Sequence, residues 1–289
     1  MAVVRPVPPQ LLLLGSISSV QFGAAFATQL FSRTGPGGVV FLRLGLSAVI
    51  LLAVARPRWR GRSRADLRAV IAFGFVLGGM NWSFYEALDR LPLGVAVTIE
   101  LLGPLTVAVA GSRRPLDLLW VALAAGGVVL LALRGDVHGV TALGLVFVLI
   151  AATCWGLYIL LSKRVGAAFA QLDGLALALG VGTVLVLPAG VIDGGSALGT
   201  PVVLGGGLLV ALLSSLIPYS LEIVALRRLA PSVFGLLMSV EPAAAAIAGV
   251  VVLGQPVTVV LVVAMVLVIT ASVGTTITSR PRSVPALLD

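Results

Sequence analysis

Five ionisable side chains fall inside otherwise apolar stretches of this sequence: Arg43, Glu86, Glu100, Glu222 and Glu241. A charge in hydrocarbon is costly, so such residues face a protein-lined cavity, pair with one another or meet a permeating solute. Arg43 keeps its proton at any accessible pH and therefore needs a carboxylate or a water-filled space. It either holds the carboxylate of a solute or pairs structurally with one of the glutamates. Glu100 stands three residues before Gly103 and four before Pro104. Proline frees the carbonyl four residues earlier, here that of Glu100 itself. Glu241 directly precedes Pro242, which biases its backbone away from a regular helix. Irregular backbone at membrane depth occurs where it lines a protein-enclosed cavity. Both acids are thus cavity candidates, with a structural hydrogen bond to a neighbouring helix as the alternative.

Glu222 shares a helix face with Pro218 and Tyr219, which fits either a polar pocket or a closed structural pair. Glu86 lies beside Asp89 and Arg90, where it is expected to reach the headgroup region. Asn81 and Tyr85 are one helical turn apart and are expected on the same cavity face. Gln21, Trp155, Tyr158 and Ser239 are weaker candidates of the same kind, each read first as a packing residue or interfacial anchor. The site residues expected to bind solute or couple its movement are therefore Glu100, Glu241, Glu222, Arg43, Tyr219, Asn81 and Tyr85. Four carboxylates against one guanidinium leave three uncompensated negative charges if all are ionised, so at least one glutamate is expected to carry a proton in some states. A glutamate that holds either a proton or a cationic amine, but not both, couples their movement in opposite directions.

The elements that must position these residues are membrane helices. The chain has 289 residues, 59% hydrophobic and 10% charged, against the roughly 25% charged of ordinary soluble domains. Its mean hydropathy is +1.16, and a bilayer must solvate most of its surface. Apolar runs broken by charge, Pro or Gly clusters give ten segments, at approximately 10–31, 38–55, 68–88, 93–111, 117–133, 141–162, 172–192, 202–224, 231–252 and 257–278. The first is expected to be retained rather than cleaved as a signal peptide, because Ser16, Ser18, Ser19 and Gln21 interrupt its apolar run on a helical pattern.

The basic residues set the expected orientation. With the N-terminus in the cytoplasm, the inner loops carry Arg5, Arg56, Arg58, Arg60, Arg62, Arg64, Arg68, Arg113, Arg114, Lys163, Arg164, Arg227, Arg228, Arg280 and Arg282. The outer loops carry only Arg33, Arg90 and Arg134. The net charge of +8 is thus a topology signal, and nucleic acid is not an expected partner. An internal repeat is also visible: Ala87-Leu88-Asp89-Arg90-Leu91 matches Ala225-Leu226-Arg227-Arg228-Leu229 at an offset of 138, which also places Pro104 on Pro242 and Gly111 on Gly249. Five helices per half is odd, so the halves must be mutually inverted, with the binding site at their interface near the midplane. The expected division is 1–138 for the first repeat and 139–289 for the second.

Several stretches resemble one family. FLRLGLS at 41–47 surrounds Arg43, GGMNWSFYE spans 78–86, and LPLGVAV at 91–97 precedes Glu100, Gly103 and Pro104. SRRP at 112–115, CWGLYIL at 154–160, PYSLE at 218–222 and FGLLMSVEP at 234–242 complete the pattern. Together they resemble the EamA-type, ten-helix members of the drug/metabolite transporter superfamily, and among these the branch of bacterial threonine/homoserine exporters. The resemblance implies an all-α inner-membrane protein of two inverted five-helix EamA repeats with both termini cytoplasmic. It also implies export of small neutral amino acids or related metabolites, driven by the proton gradient. A broad exporter of cationic or amphipathic solutes is the runner-up. Two positions depart from the pattern: Glu86 replaces an apolar residue, and Gln255 replaces an acid; either is expected to shift substrate preference.

An enzyme is not expected. The sequence has no HExxH, no GxSxG and no Cys/His cluster; the lone Cys154 and lone His138 exclude an internal disulfide and paired-histidine metal sites. No metal or cofactor is implied. A channel is disfavoured because channels more often take their symmetry from oligomers. Gly74 and Gly78 form a GxxxG spacing, but in a glycine-rich membrane protein that spacing arises easily by chance, and oligomeric state is not legible.

Overall fold

The computed structural model describes residues 7–57, 61–110, 116–133, 140–169, 172–226, 228–229 and 231–278. Outside them lie Arg5, Arg58, Arg60, Arg113, Arg114, Arg134, Arg227, Arg280 and Arg282 of the loop charges, Gly111 of the repeat, the SRRP motif, His138 and the expected boundary between halves. The described chain is helical, as α1 (Pro9–Ala55), α2 (Arg64–Leu88), α3 (Leu93–Glu100), α4 (Leu102–Ala110), α5 (Leu116–Leu133), α6 (Ala142–Ala168), α7 (Asp173–Gly194), α8 (Pro201–Ala211), α9 (Ile217–Leu226), α10 (Pro231–Met238), α11 (Glu241–Leu253) and α12 (Val259–Thr278). Large apolar side chains project from the outer faces, with Ile192 81% and Leu133 80% exposed. Water would penalise that surface, whereas lipid does not.

Nine helical stretches among the described residues are long and apolar enough to cross a membrane. The first, α1, has 47 residues, about 70 Å of helix against a hydrocarbon core of ~30 Å. It is broken at Gly35, whose φ of 61° and ψ of 171° leave the helical region, and Pro36 follows inside it. The sequence reading places two segments here, 10–31 and 38–55, and the break falls between them. A left-handed φ favours glycine, and proline cannot donate to the turn before it. The N–H of Gly37, freed by the break, donates to the Asp193 carboxylate of α7 at 2.9 Å.

Three later crossings are also interrupted. α3 and α4 form one crossing with a turn at Leu101, and α10 and α11 form another with a turn at Ser239 and Val240. The two interruptions fall at the sequence offset of 138. α3 ends at Glu100 and α10 at Met238; the Leu101 N–H donates to the Val97 carbonyl at 3.2 Å and the Ser239 N–H to the Gly235 carbonyl at 3.3 Å. Between α8 and α9, residues Leu212–Leu216 form a π turn.

Packing gathers the α8–α9 and α10–α11 crossings around α1, which also runs along α7, while α2 lies against α6 and α7 and α3 against α11. The Gly74/Gly78 pair is used inside the chain. A Cβ on Gly78 would lie 2.9 Å from the Cα of Gly182 in α7, and one on Gly74 would lie 2.7 Å from the Ala178 carbonyl. Glycine here lets two backbones approach closely.

The break in α1 gives a stability prediction. Asp193→Ala removes the acceptor for the Gly37 N–H and is expected to cost about 1 kcal/mol, as for other helix-start caps. Gly35→Val is expected to cost more, since it combines an unfavourable φ with a Cβ 2.9 Å from that of Asp193. Thermal unfolding in detergent checks both, and an unchanged melting temperature for both variants would contradict this account of the break.

Candidate functional site

The three later interruptions border one cavity of about 170 Å³. Arg43 from α1, Asn81 from α2, Glu100 at the end of α3, Tyr219 and Glu222 from α9 and Glu241 at the start of α11 all line it. Six of the seven site residues expected from sequence therefore share one chamber. Tyr85, the seventh, is fully buried one layer behind and reaches the chamber only through Arg43. Trp155, Tyr158 and Gln21, the weaker candidates read first as anchors, also line it. Ser239 does not; its hydroxyl bonds that of Ser272 at 2.8 Å.

Arg43 is held by two contacts that local chemistry explains. Its Nη1 donates to the Tyr85 hydroxyl at 3.2 Å, and the guanidinium lies 5.5 Å from the Tyr85 ring centroid. Its Nη2 donates to the Ser214 carbonyl at 3.0 Å. In an unbroken helix the N–H of residue 218 would occupy that carbonyl, but residue 218 is a proline and has none. Pro218 thus supplies the acceptor that anchors the guanidinium. The Arg43 Nε–H is buried with no partner, and no carboxylate among the described residues stands within ion-pair distance of Arg43. The structural Arg–Glu pair considered from sequence is not formed.

The acids divide into two groups. Glu222 accepts from the Ser16 hydroxyl of α1 at 2.7 Å. Glu100 and Glu241 line the chamber with no protein hydrogen bond to either carboxylate among the described residues. Glu86 lies outside it: its carboxylate pairs with Arg90 at 2.7 Å, and that guanidinium stacks over Phe147 with 5.2 Å to the ring centroid. Gln255 is also remote from the chamber. Its Oε1 accepts the Leu93 N–H at 3.0 Å and caps the start of α3. Both departures from the family pattern are thus structural partners here, and neither touches the cavity.

Five lining or supporting residues were not found from sequence. Ser214 owes its role to the missing N–H of Pro218, a signal present in the sequence; Ser16 acts across 206 positions of chain, which no local pattern reveals. Met80, Phe84 and Met238 supply apolar wall and look like any buried residue. Chemically, the chamber offers one guanidinium with a free donor and three carboxylates on the same lining, a set that complements a small molecule bearing both a carboxylate and an ammonium group. Among the described residues no group of His, Cys, Asp and Glu side chains is arranged to hold a metal ion.

Comparison with known proteins places this chain in a family. The model of the EamA-like transporter family matches residues 142–277. The threonine/homoserine exporter RhtA of Salmonella typhimurium LT2 is 43% identical over 274 residues, spanning 94% of this chain and 92% of the relative. This chain belongs to the EamA-like transporter family. RhtA of Escherichia coli K12 is 42% identical over 277 residues, covering 95% and 93% of the two chains. A crystal structure with 17% identity aligns over 93% of this chain and 96% of its own with a TM-score of 0.62, a likeness of fold alone. As an EamA-like protein, the chain is an all-helical, multi-pass membrane transporter, and its chamber lies where both halves of the sequence contribute side chains.

Arg43→Lys tests the guanidinium. An ammonium is a point charge without the planar fork that holds Tyr85, Ser214 and a ligand carboxylate together. Affinity for a carboxylate-bearing solute is expected to fall more than tenfold in equilibrium binding to purified protein. Unchanged affinity would remove Arg43 from the binding site.

Proposed function

We propose that this chain exports small neutral amino acids of the threonine/homoserine kind across the inner membrane in exchange for protons. The single observation that carries the reading is the Arg43 guanidinium, buried without an ion pair and with its Nε–H unpartnered, facing the same chamber as Glu100, Glu222 and Glu241. A zwitterionic amino acid fits that polarity at both ends, with its carboxylate on Arg43 and its ammonium on the acids. The named activity of the RhtA relatives supports the same substrate class. Size separates it from the runner-up, since drug-sized ligands occupy pockets of roughly 300–1,000 Å³ and this chamber holds about 170 Å³.

Coupling follows from charge. With Glu86 neutralised by Arg90, three carboxylates face one guanidinium. An acid holding a proton in the empty chamber releases it when the substrate ammonium arrives, and reloads when the substrate leaves. Proton and amino acid then travel in opposite directions, provided the chamber opens to one side at a time.

The matched breaks in the α3–α4 and α10–α11 crossings support ten crossings arranged as two inverted halves, counting α1 as two. Equivalent positions of the two halves are packed unequally. Val95 and Thr98 of α3 are fully buried, whereas their counterparts at the 138 offset, Val233 and Leu236 of α10, are 37% and 39% exposed.

The test is transport into liposomes of the purified protein with radiolabelled threonine and homoserine under an imposed pH difference. Accumulation against the amino-acid gradient is expected, collapsing when the pH difference is dissipated; flux that ignores the pH difference would overturn antiport. Among Glu100→Gln, Glu222→Gln and Glu241→Gln, at least one is expected to reduce gradient-driven flux tenfold or more, and full flux in all three would overturn the site assignment.

A further inference from the structure

The first half of α1 carries several polar side chains, and all but one of those turned into the protein are engaged. Ser16 donates to Glu222 at 2.7 Å, Ser19 to the Leu213 carbonyl at 2.7 Å and Thr28 to the Ala25 carbonyl at 2.8 Å. Even the exposed Gln29 donates to the Val252 carbonyl at 3.1 Å. Gln21 is the exception. It is 4% exposed and lines the chamber. Its Oε1 is buried with no partner, and among the described residues its amide makes no side-chain hydrogen bond. A carboxamide offers two donors and an acceptor, and burying it unsatisfied disfavours the fold unless a ligand completes it.

We infer that Gln21 reads the side-chain hydroxyl of the substrate, accepting its O–H at Oε1, and is the residue that separates hydroxy amino acids from apolar ones of the same shape. The inference rests on the proposed export of small amino acids and adds what that reading lacks. Arg43 and the glutamates recognise the backbone carboxylate and ammonium that every neutral amino acid shares, so they provide no discrimination among side chains. Of the other lining residues, Val20, Met80 and Phe84 are apolar and the Ser214 carbonyl is engaged by Arg43, whereas the Ser214 hydroxyl is buried without a partner as Gln21 is, but offers one donor where the carboxamide offers two donors and an acceptor. An apolar pocket rejects an added hydroxyl by only about 10²-fold. A pocket with a buried group awaiting a hydroxyl rejects the analogue lacking it far more strongly, by roughly 10⁴–10⁵-fold in the strongest cases.

The experiment is equilibrium binding to the full-length purified protein, using threonine, its apolar isostere valine and the methyl ether O-methylthreonine as probes. In the unmodified protein threonine is expected to bind at least about 100-fold more tightly than valine, and the ether, which cannot donate, is expected to bind as weakly as valine. Gln21→Met keeps the length of the side chain and removes its polar end. It is expected to cut the threonine-to-valine ratio tenfold or more, chiefly by weakening threonine, whereas a purely structural role for Gln21 would weaken both ligands alike. Valine binding as tightly as threonine in the unmodified protein would overturn the inference without the need for any variant. An unchanged ratio in Gln21→Met would overturn it too, while leaving amino-acid export standing. Failure of the unmodified protein to bind threonine or valine at all would instead overturn the proposed function on which the inference rests.

Discussion

A guanidinium that cannot lose its charge sits in the centre of a protein whose outer surface is oil-facing, and no carboxylate among the described residues neutralises it directly. Isolated in a low-dielectric interior such a group is severely penalised. The fold answers with dipoles: a tyrosine hydroxyl, the face of its ring, and a backbone carbonyl that a proline has set free. These hold Arg43 in place without cancelling its charge. The chamber, the ring of acids and the fit to a zwitterion all depend on that partial satisfaction. A direct ion pair would close the site.

Backbone irregularity supplies the rest. A regular helix consumes its own carbonyls and N–H groups and offers a solute only side chains. Here Pro36 with Gly35, Pro104, Pro218 and Pro242 each stand at or beside an interruption, and the last three belong to crossings that border one space. In lipid such breaks are admissible only where protein or water receives the freed groups. The freed Ser214 carbonyl accepts from Arg43 and the freed Gly37 N–H donates to Asp193, so the breaks are stabilised by contacts between crossings far apart in sequence. Helices that touch at glycine, as α2 and α7 do, let those contacts form at short range.

Much of this was legible in the sequence because membrane physics constrains composition so tightly. Apolar runs of crossing length, acids next to prolines and a 138-residue repeat required no tertiary information, and Arg43, Asn81, Glu100, Tyr219, Glu222 and Glu241 were placed together on those grounds. The misreadings share a cause: each depends on a partner from another crossing. Tyr85 has the same spacing signal as Asn81, yet it supports Arg43 and stops short of the chamber wall. Gln255 read as a determinant of substrate preference, because nothing local shows that it caps α3 from across the bundle. Gln21 read as packing, because an unpartnered amide is visible only when its surroundings are. The Glu86–Arg90 pair is the counter-example; its i,i+4 spacing is local and could have been paired from the sequence directly.

The central claim is that Arg43 and the facing acids form the seat of a zwitterion. An experimental structure of the protein with threonine bound tests it most directly. The account predicts the amino-acid carboxylate within hydrogen-bond distance of the Arg43 guanidinium, with the ammonium directed at one or more of Glu100, Glu222 and Glu241. Threonine seated away from Arg43, or an Arg43 side chain turned to pair with a glutamate while the ligand is bound elsewhere, would contradict it.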